Sequence, residues 1–156
     1  MSAEKKNMLP ATGKLGIMLV LLGAVSTTFF AGVEMIRKGL AKPIGSQAWM
    51  GSARIGKRTE KRFVKINELV PLAGPDDLVF AAWDIFPDTA YEPTLKAGGF
   101  YNQELSPLKH ELTKITPLKG AFDQNFVKKL DGTHLKEGTR RQLAESLRKD
   151  IQEMKK

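Results

Sequence analysis

The sequence predicts an α/β fold built on a parallel sheet. Two short apolar runs, at residues 17–22 and 78–85, have the length and composition of strands covered on both faces. Each run precedes a segment in which apolar residues recur at helical spacing. Strands that alternate with helices in this way are typical of domains in which helices cover a mostly parallel sheet.

Composition limits the kinds of site that the chain can carry. Of its 156 residues, 42% are hydrophobic and 27% are charged, which fits one ordinary globular domain. The lack of cysteine excludes a disulfide scaffold, a cysteine-ligated metal site and a thiol nucleophile, and it fits a reducing cytoplasm. His110 and His134 lie in different segments, so we predict no protein-ligated transition metal.

The chain is basic, with 25 Lys and Arg against 17 Asp and Glu, a formal charge of +8. Six of these cations fall within residues 54–65, against the single acid Glu60. Such a stretch can bind an anion, form a contact between subunits or remain a solvated loop. Because no recognised nucleic-acid module accompanies it, we predict no nucleic-acid partner, and a nucleic-acid-binding protein is kept as an alternative.

The segment at residues 15–33 carries no charge and approaches the length of a membrane span, so a small membrane-anchored protein is a second alternative. We favour a strand that breaks at Gly23 into a helix over residues 26–38. The hydroxyls at residues 26–28 can cap that helix, and Arg37 and Lys38 suit its last turn. This interpretation predicts no membrane segment.

The remaining elements follow from local patterns. We predict a long loop with at most one short strand over residues 45–62, and a helix that opens after Pro87 and Asp88. A helical stripe follows, with His110 pointing away from it; its members are Leu105, Leu108, Leu112 and Ile115.

The final helix has the clearest local signals. Thr139 and Gln142 predict a capping box at its start. Its apolar stripe consists of Leu143, Leu147, Ile151 and Met154. On its outer side we expect the charge pairs Arg141 with Glu145 and Glu145 with Lys149.

The turn after the first strand is a candidate phosphate site. Gly23, Ala24 and Ser26 are small, and the helix that follows offers free backbone N–H groups and the positive end of its dipole. The dinucleotide fingerprint is incomplete, however, because Leu21 stands where its first glycine is expected. From the residues alone, a nucleotide site and a strand–turn–helix unit without a ligand both remain open.

Asp84 is the second candidate, at the carboxyl end of the second strand, where open α/β sheets bind their ligands. Its carboxylate can hold ribose hydroxyls or cap the turn ahead of Pro87, and the residues do not choose between these roles.

Seven blocks of the chain resemble the bacterial branch of the inositol-phosphate synthase family: Lys-Leu-Gly-Ile (14–17), Gly-Ala-Val-Ser-Thr-Thr (23–28), Ala-Gly-Val-Glu (31–34), Arg-Lys-Gly-Leu-Ala-Lys-Pro-Ile-Gly-Ser (37–46), Gly-Lys-Arg-Thr (56–59), Trp-Asp-Ile-Phe-Pro-Asp (83–88) and Lys-Leu-Asp-Gly-Thr-His (129–134). The similarity runs over nearly the whole chain and is more specific than the incomplete glycine fingerprint.

The resemblance implies a Rossmann-type NAD domain, of which residues 15–156 would be the incomplete N-terminal part, preceded by an arm at residues 1–14. It further implies a cytoplasmic homo-oligomer, a tetramer by resemblance, that uses NAD to convert glucose 6-phosphate to myo-inositol phosphate for phospholipid biosynthesis. NAD would be reduced and regenerated within one turnover.

The matching motifs also assign roles to residues. Gly23, Ala24, Val25, Ser26 and Thr27 would form the pyrophosphate turn, Asp84 and Ile85 would contact the adenosine side of NAD, and Gly120 and Ala121 more weakly resemble a further cofactor-lining segment. The catalytic lysines of the family would lie beyond Lys156, so we predict no catalytic residue within this chain.

The chain departs from the family at three places. Leu21 and the pair Ala81-Ala82 stand where glycines are usual, and Ala48-Trp49 lies in a stretch that is usually more polar. A β-carbon at a former glycine would crowd the cofactor, so weakened NAD binding is an expectation of the sequence.

Overall fold

The computed structural model describes residues 9, 12–123 and 125–155, so most of the predicted N-terminal arm lies outside the described residues. In chain order, the elements are β1 (Leu15–Val20), α1 (Ala24–Arg37), α2 (Gln47–Met50), β2 (Ser52–Ile55), β3 (Arg62–Lys65), α3 (Ile66–Leu69), β4 (Leu78–Asp84), α4 (Tyr91–Ala97), α5 (Asn102–Leu105), α6 (Lys109–Lys114), β5 (Leu118–Lys119) and α7 (Arg140–Met154). Short 3₁₀ turns lie at Arg58–Glu60, Pro75–Asp77 and Ser106–Leu108.

The predicted α/β fold with a parallel sheet is confirmed. Three strands form a parallel sheet in the order β1-β4-β5, and α1 follows β1 directly. In the register of β1 on β4, Leu15 pairs with Leu78 and Val20 with Trp83. All three carboxyl ends therefore open at the same edge of the sheet.

The first strand was predicted two residues too late. β1 ends at Val20, and Leu21 and Leu22 form a turn instead of its last two positions. The reason is that Leu21 has φ 71°, a left-handed conformation that an extended strand cannot include. The apolar run extends beyond the strand in the sequence because Leu22, which lies in the turn, is buried in the core.

The core lies between the sheet and α1. Phe30 and Ala31 of α1 are fully buried, and the Phe30 ring centroid lies 4.6 Å from that of Phe80 on β4. The predicted stripe contributes here: Leu105, Leu108 and Leu112 are all fully buried. Burial of such side chains is the main favourable term in the stability of the fold.

The start of α1 differs from the prediction. The helix begins at Ala24 with Gly23 at the N-cap position, so the hydroxyls at residues 26–28 do not cap it. Instead, Ser26 Oγ donates to the Leu21 carbonyl at 2.7 Å and Thr27 Oγ1 donates to the Gly23 carbonyl at 3.0 Å. A hydroxyl inside the first turn donates backwards to a carbonyl, because the N–H groups ahead of it lie out of its reach.

Over residues 45–62, where we predicted a long loop with at most one short strand, the structure has one complete strand, β2, and the one-turn helix α2, which was not predicted. β3 begins at the last residue of this range and forms an antiparallel hairpin with β2, in which Ala53 pairs with Val64. Each strand has only four residues, and exposed cations interrupt its apolar alternation, so the pattern was too short to recognise. The basic stretch therefore lies on this hairpin.

The helices of the second half are shorter than predicted. The stripe is divided between α5, the 3₁₀ turn at Ser106–Leu108 and α6, because Pro107 has no N–H to continue a helix. His110 is exposed, as expected. The helix predicted after Pro87 and Asp88 begins at Tyr91.

The last helix, α7, contacts the sheet, since Asp150 accepts the Trp83 indole N–H of β4 and the Met154 side chain lies beside Gly16 of β1. Its predicted capping box is confirmed, since Gln142 N donates to Thr139 Oγ1 and Thr139 N donates to Gln142 Oε1. Of the predicted pairs, Arg141 and Glu145 lie 3.2 Å apart, whereas Lys149 lies 3.8 Å from Glu153 rather than beside Glu145.

The apolar stretch at residues 15–33 divides into β1, a turn and α1, so the alternative of a membrane-anchored protein is not supported. Among the described residues, no helix combines the length and the apolar character that a bilayer crossing requires.

Candidate functional site

A cleft of about 370 Å³ lies at the carboxyl ends of β1 and β4. It brings together the turn after β1 and the segment after β4, which are far apart in the sequence. Its lining residues are Leu21, Leu22, Gly23, Asp84, Ile85, Phe86, Asp88, Pro93, Lys96 and Leu130. This is the edge at which open α/β sheets bind nucleotides.

The turn of Leu21, Leu22 and Gly23 forms one wall of the cleft, and the first turn of α1 follows directly behind it. The predicted residues 24–27 are not among the described residues that line the cleft. A β-carbon built on Gly23 meets no described atom within 4 Å, so the backbone is open to a close approach from outside. Ala24 and Val25 are exposed, Ser26 is half-buried, and the first turn of α1 holds no acidic residue. Unpaired N–H groups and the positive helix end favour an anion here.

Thr27 lies in the same turn but has a different environment. It is fully buried, its N–H donates to the Gly23 carbonyl at 3.1 Å, and its hydroxyl donates to the same oxygen. These bonds stabilise the turn from inside. Thr27 can therefore affect a ligand only indirectly, by holding the backbone of the turn in place.

Asp84 connects the two walls of the cleft. The residue is only 7% exposed, and one carboxylate oxygen accepts the Leu22 N–H at 2.5 Å while the other accepts the Phe86 N–H at 3.0 Å. Both oxygens thus hold backbone turns, one after each strand. This is the capping role that the sequence left open, extended by the long-range bond to the turn after β1.

Ile85 and Gly120 support the floor of the cleft. Gly120 N donates to the Asp84 carbonyl at 3.0 Å, and a β-carbon on Gly120 would lie 3.2 Å from that carbonyl. The Ile85 carbonyl in turn accepts the His134 N–H at 2.8 Å. Gly120 thus contacts the cleft only through Asp84 and Ile85, because neither Gly120 nor the exposed Ala121 is among the described residues that line it.

The structure adds residues that the sequence analysis missed. A β-carbon on the buried Gly132 would lie 2.5 Å from Ile85 Cβ, so only glycine fits beneath Ile85. Lys96 and Asp88 line the cleft 3.2 Å apart. In the sequence, Gly132 was indicated only as a member of the block at residues 129–134 that resembles the family. No local pattern indicated that Lys96 would line the cleft.

Two of the three departures from the family lie away from the cleft. Ala82 is fully buried in the core cluster, and neither Ala81 nor Ala82 is among the described residues that line the cleft. Ala48 and Trp49 line a separate apolar groove of about 730 Å³ beside α1. The expected crowding at Ala81 and Ala82 thus finds no support in the lining of this cleft.

Leu21 is the departure that lies in the cleft. Its φ of 71° is left-handed, and its N–H donates to the Trp83 carbonyl at 2.8 Å. A residue with a β-carbon pays roughly 1–2 kcal/mol for this conformation, whereas glycine adopts it freely. The turn therefore has the backbone conformation that favours glycine, and Leu21 is the departure from the glycine fingerprint that lines the cleft.

A parallel sheet whose first strand–turn–helix unit faces a cleft at its carboxyl edge defines a Rossmann-type dinucleotide-binding domain. The family model for an NAD-binding domain described as "Myo-inositol-1-phosphate synthase" matches residues 15–156. The chain belongs to this family.

Relatives agree with the family model. The chain is 44% identical to inositol-3-phosphate synthase 1 of Bacteroides thetaiotaomicron, over 97% of this chain and 35% of that protein. It is 30% identical to an inositol-3-phosphate synthase isozyme of Arabidopsis thaliana, over 91% of this chain and 31% of that protein. The chain thus spans about a third of the length of the curated relatives it matches.

A solved structure has the same fold. The crystal structure of inositol-3-phosphate synthase from Caenorhabditis elegans superposes with a TM-score of 0.83, at 21% identity, over 95% of this chain and 32% of that one.

Proposed function

We propose that the chain supplies the NAD-binding part of an inositol-3-phosphate synthase, the isomerase that converts glucose 6-phosphate to myo-inositol phosphate. The observation that carries this proposal is the cleft in which the open backbone at Gly23 faces the Asp84–Ile85 turn, in a chain that belongs to the family. Bound NAD would supply a hydride acceptor that later returns the hydride.

Each wall of the cleft has a role in this proposal. The backbone N–H groups at residues 23–26 would hold the pyrophosphate, because they lie at the positive end of α1. The Asp84–Ile85 segment would lie along the adenosine side, with Gly120 beneath it. The catalytic lysines would come from outside this chain.

The properties of the whole enzyme are part of the proposal. We propose that it works in the cytoplasm as a homo-oligomer and makes inositol phosphate for phospholipid synthesis. The names of the relatives, which are inositol-3-phosphate synthases, support the product, and the family resemblance implies the location, the assembly and the use in phospholipid synthesis.

NAD binding is tested by isothermal titration of the 156-residue chain and its Gly23→Ala variant. The new methyl group has room in the fold but lies where the pyrophosphate would approach. We expect NAD affinity to fall about tenfold or more, the equivalent of about 1.4 kcal/mol. The unfolding temperature should fall by only a few degrees, because alanine is a poorer N-cap than glycine but has room in the fold. Gly45→Ala, at another glycine whose β-carbon meets no described atom within 4 Å, is the control.

The proposal fails if neither the chain nor a Leu21→Gly variant binds NAD, or if Gly23→Ala binds it with undiminished affinity. Isomerase activity is tested in a chimera in which residues 15–156 replace the matching segment of the Bacteroides thetaiotaomicron synthase. We expect NAD-dependent formation of inositol phosphate from glucose 6-phosphate, and a folded, NAD-binding chimera without product would contradict the proposed activity.

A further inference from the structure

We propose that the Leu21 side chain limits the NAD affinity of this cleft, and that the turn beneath it is already shaped for glycine. This inference rests on the proposed NAD site. It separates the shape of the turn, which fits the ligand, from the one side chain that does not.

Neighbouring residues impose the shape of the turn. The Leu21 N–H donates to the Trp83 carbonyl at 2.8 Å, and the Leu21 carbonyl accepts the Ser26 hydroxyl at 2.7 Å. The next N–H along the chain, that of Leu22, is held by Asp84. Because these partners bind backbone atoms, the left-handed conformation at residue 21 should persist after its side chain is replaced.

The Leu21 side chain contributes little to the core. It is 43% exposed, whereas the adjacent Leu22 is 2% exposed and belongs to the core cluster. Of the two leucines in this turn, Leu22 therefore stabilises the fold, and Leu21 projects into the cleft that it lines. Removing the Leu21 side chain should leave the packing beneath the turn intact.

The same side chain stands next to the proposed phosphate wall. Leu21 lines the cleft together with Gly23, two residues away at the N-cap of α1. An apolar branched side chain at this position would shield backbone N–H groups and would itself offer a diphosphate no hydrogen bond. A bound phosphate would then have fewer hydrogen bonds to replace those that it makes with water. We therefore expect the chain as it stands to bind NAD weakly.

The test compares the 156-residue chain with Leu21→Gly and Leu21→Ala by isothermal titration with NAD. We expect Leu21→Gly to bind NAD at least about tenfold more tightly, with Leu21→Ala between the two. Leu130→Ala is the matched control, because Leu130 is a second partly exposed leucine in the same cleft but is not part of the turn after β1. Its NAD affinity should change less than that of Leu21→Gly.

A second measurement needs no nucleotide. Leu21→Gly should unfold about 2–4 °C above Leu21→Ala, because alanine keeps the β-carbon that is disfavoured at φ 71°. Equal unfolding temperatures would overturn the assigned shape of the turn.

The two proposals fail in different ways. If the chain and Leu21→Gly bind NAD with the same affinity, the inference about Leu21 is wrong and the NAD site stands. If neither binds NAD, the proposed function fails and the inference fails with it. Equal gains in Leu130→Ala and Leu21→Gly would also overturn the inference, since the gain would then come from a wider cleft.

Discussion

The Asp84 carboxylate accepts a hydrogen bond from the backbone N–H of Leu22 at 2.5 Å, across 62 positions of sequence. This bond joins the end of β4 to the turn after β1, and its buried surroundings strengthen it. This bond therefore connects the two walls of the proposed nucleotide cleft, and a substitution in either wall should disturb the backbone of the other.

Replacing Asp84 with Asn should weaken the connection between the two walls. The amide keeps one acceptor oxygen and turns an NH₂ group toward one of the two backbone donors, Leu22 N–H or Phe86 N–H. A buried donor left without a partner costs about 1–3 kcal/mol, which urea unfolding should detect, and NAD affinity should fall with it.

Asp88→Asn is the control for this change. Asp88 lines the same cleft, but its side chain is 43% exposed and its partner Lys96 is 74% exposed, so their ion pair contributes only about 0–1 kcal/mol. Equal destabilisation by the two substitutions would show that the bond to Leu22 has no special role.

Gly132→Ala should disturb the floor of the cleft. The added β-carbon would lie 2.5 Å from Ile85 Cβ and 2.6 Å from the Ile85 carbonyl oxygen, so Ile85 must move. Overpacking of this kind costs about 1–3 kcal/mol, and chemical denaturation together with NAD titration should report both effects. Gly45→Ala should change stability by less than about 0.5 kcal/mol, and a comparable loss there would contradict the assignment.

Lys136 and Asp150 should behave as a coupled pair that fastens α7 to the sheet. Their Nζ and Oδ2 atoms lie 2.9 Å apart, the side chains are only 14% and 12% exposed, and Asp150 also accepts the Trp83 indole N–H at 2.7 Å. Asp150→Leu alone leaves a mostly buried ammonium group without its counter-ion, which costs about 3 kcal/mol.

The double variant Lys136→Met with Asp150→Leu should lose less stability than Asp150→Leu alone. The coupling energy from a double-mutant cycle, measured by urea unfolding, should exceed about 0.5 kcal/mol. Additive losses would mean that the two side chains do not interact.

The pair of Lys38 and Glu111 should make stability depend on pH. The hydrogen bond from Lys38, at 3.0 Å, lowers the pKa of Glu111 below its ordinary value of 4.5, while burial acts in the opposite direction. When folding lowers the pKa of a carboxyl group, that group stabilises the folded protein at any pH above its unfolded-state pKa. The stabilisation is lost as the pH falls through the folded-state pKa.

Lys38→Met should therefore destabilise the protein at neutral pH, and this difference should shrink in acid below pH 4.5. Urea unfolding across that range measures it. Lys114→Met, on the same helix α6 as Glu111, removes one exposed charge as a control. A difference that stays constant with pH would exclude the Glu111 carboxylate as its source.

Particular residues show how far the sequence could be interpreted. The capping box of Thr139 and Gln142 and the stripe of Leu105, Leu108 and Leu112 were predictable, because each signal lies within a few residues along one helical region. The hairpin of β2 and β3 was missed, because its four-residue strands gain their hydrogen bonds from each other and carry little periodicity of their own.

In the candidate site, too, some features were predictable from the sequence and others were not. Gly23, Asp84 and Gly120 were predicted from motifs, and Leu21 was singled out because it stands where the motif has a glycine. The departures from the family are distinguished only by their positions in three dimensions, since Ala82 lies in the core while Leu21 lies in the cleft.

The sequence by itself determined the fold class, the strand–turn–helix unit and the family resemblance, because these depend on the order and spacing of neighbouring side chains. Only the tertiary structure decided where β1 ends, why residue 21 is left-handed and what Asp84 binds. Each of these depends on atoms brought together from distant segments, as in the bonds from Leu21 to Trp83 and from Leu22 to Asp84, and no local pattern records such a contact.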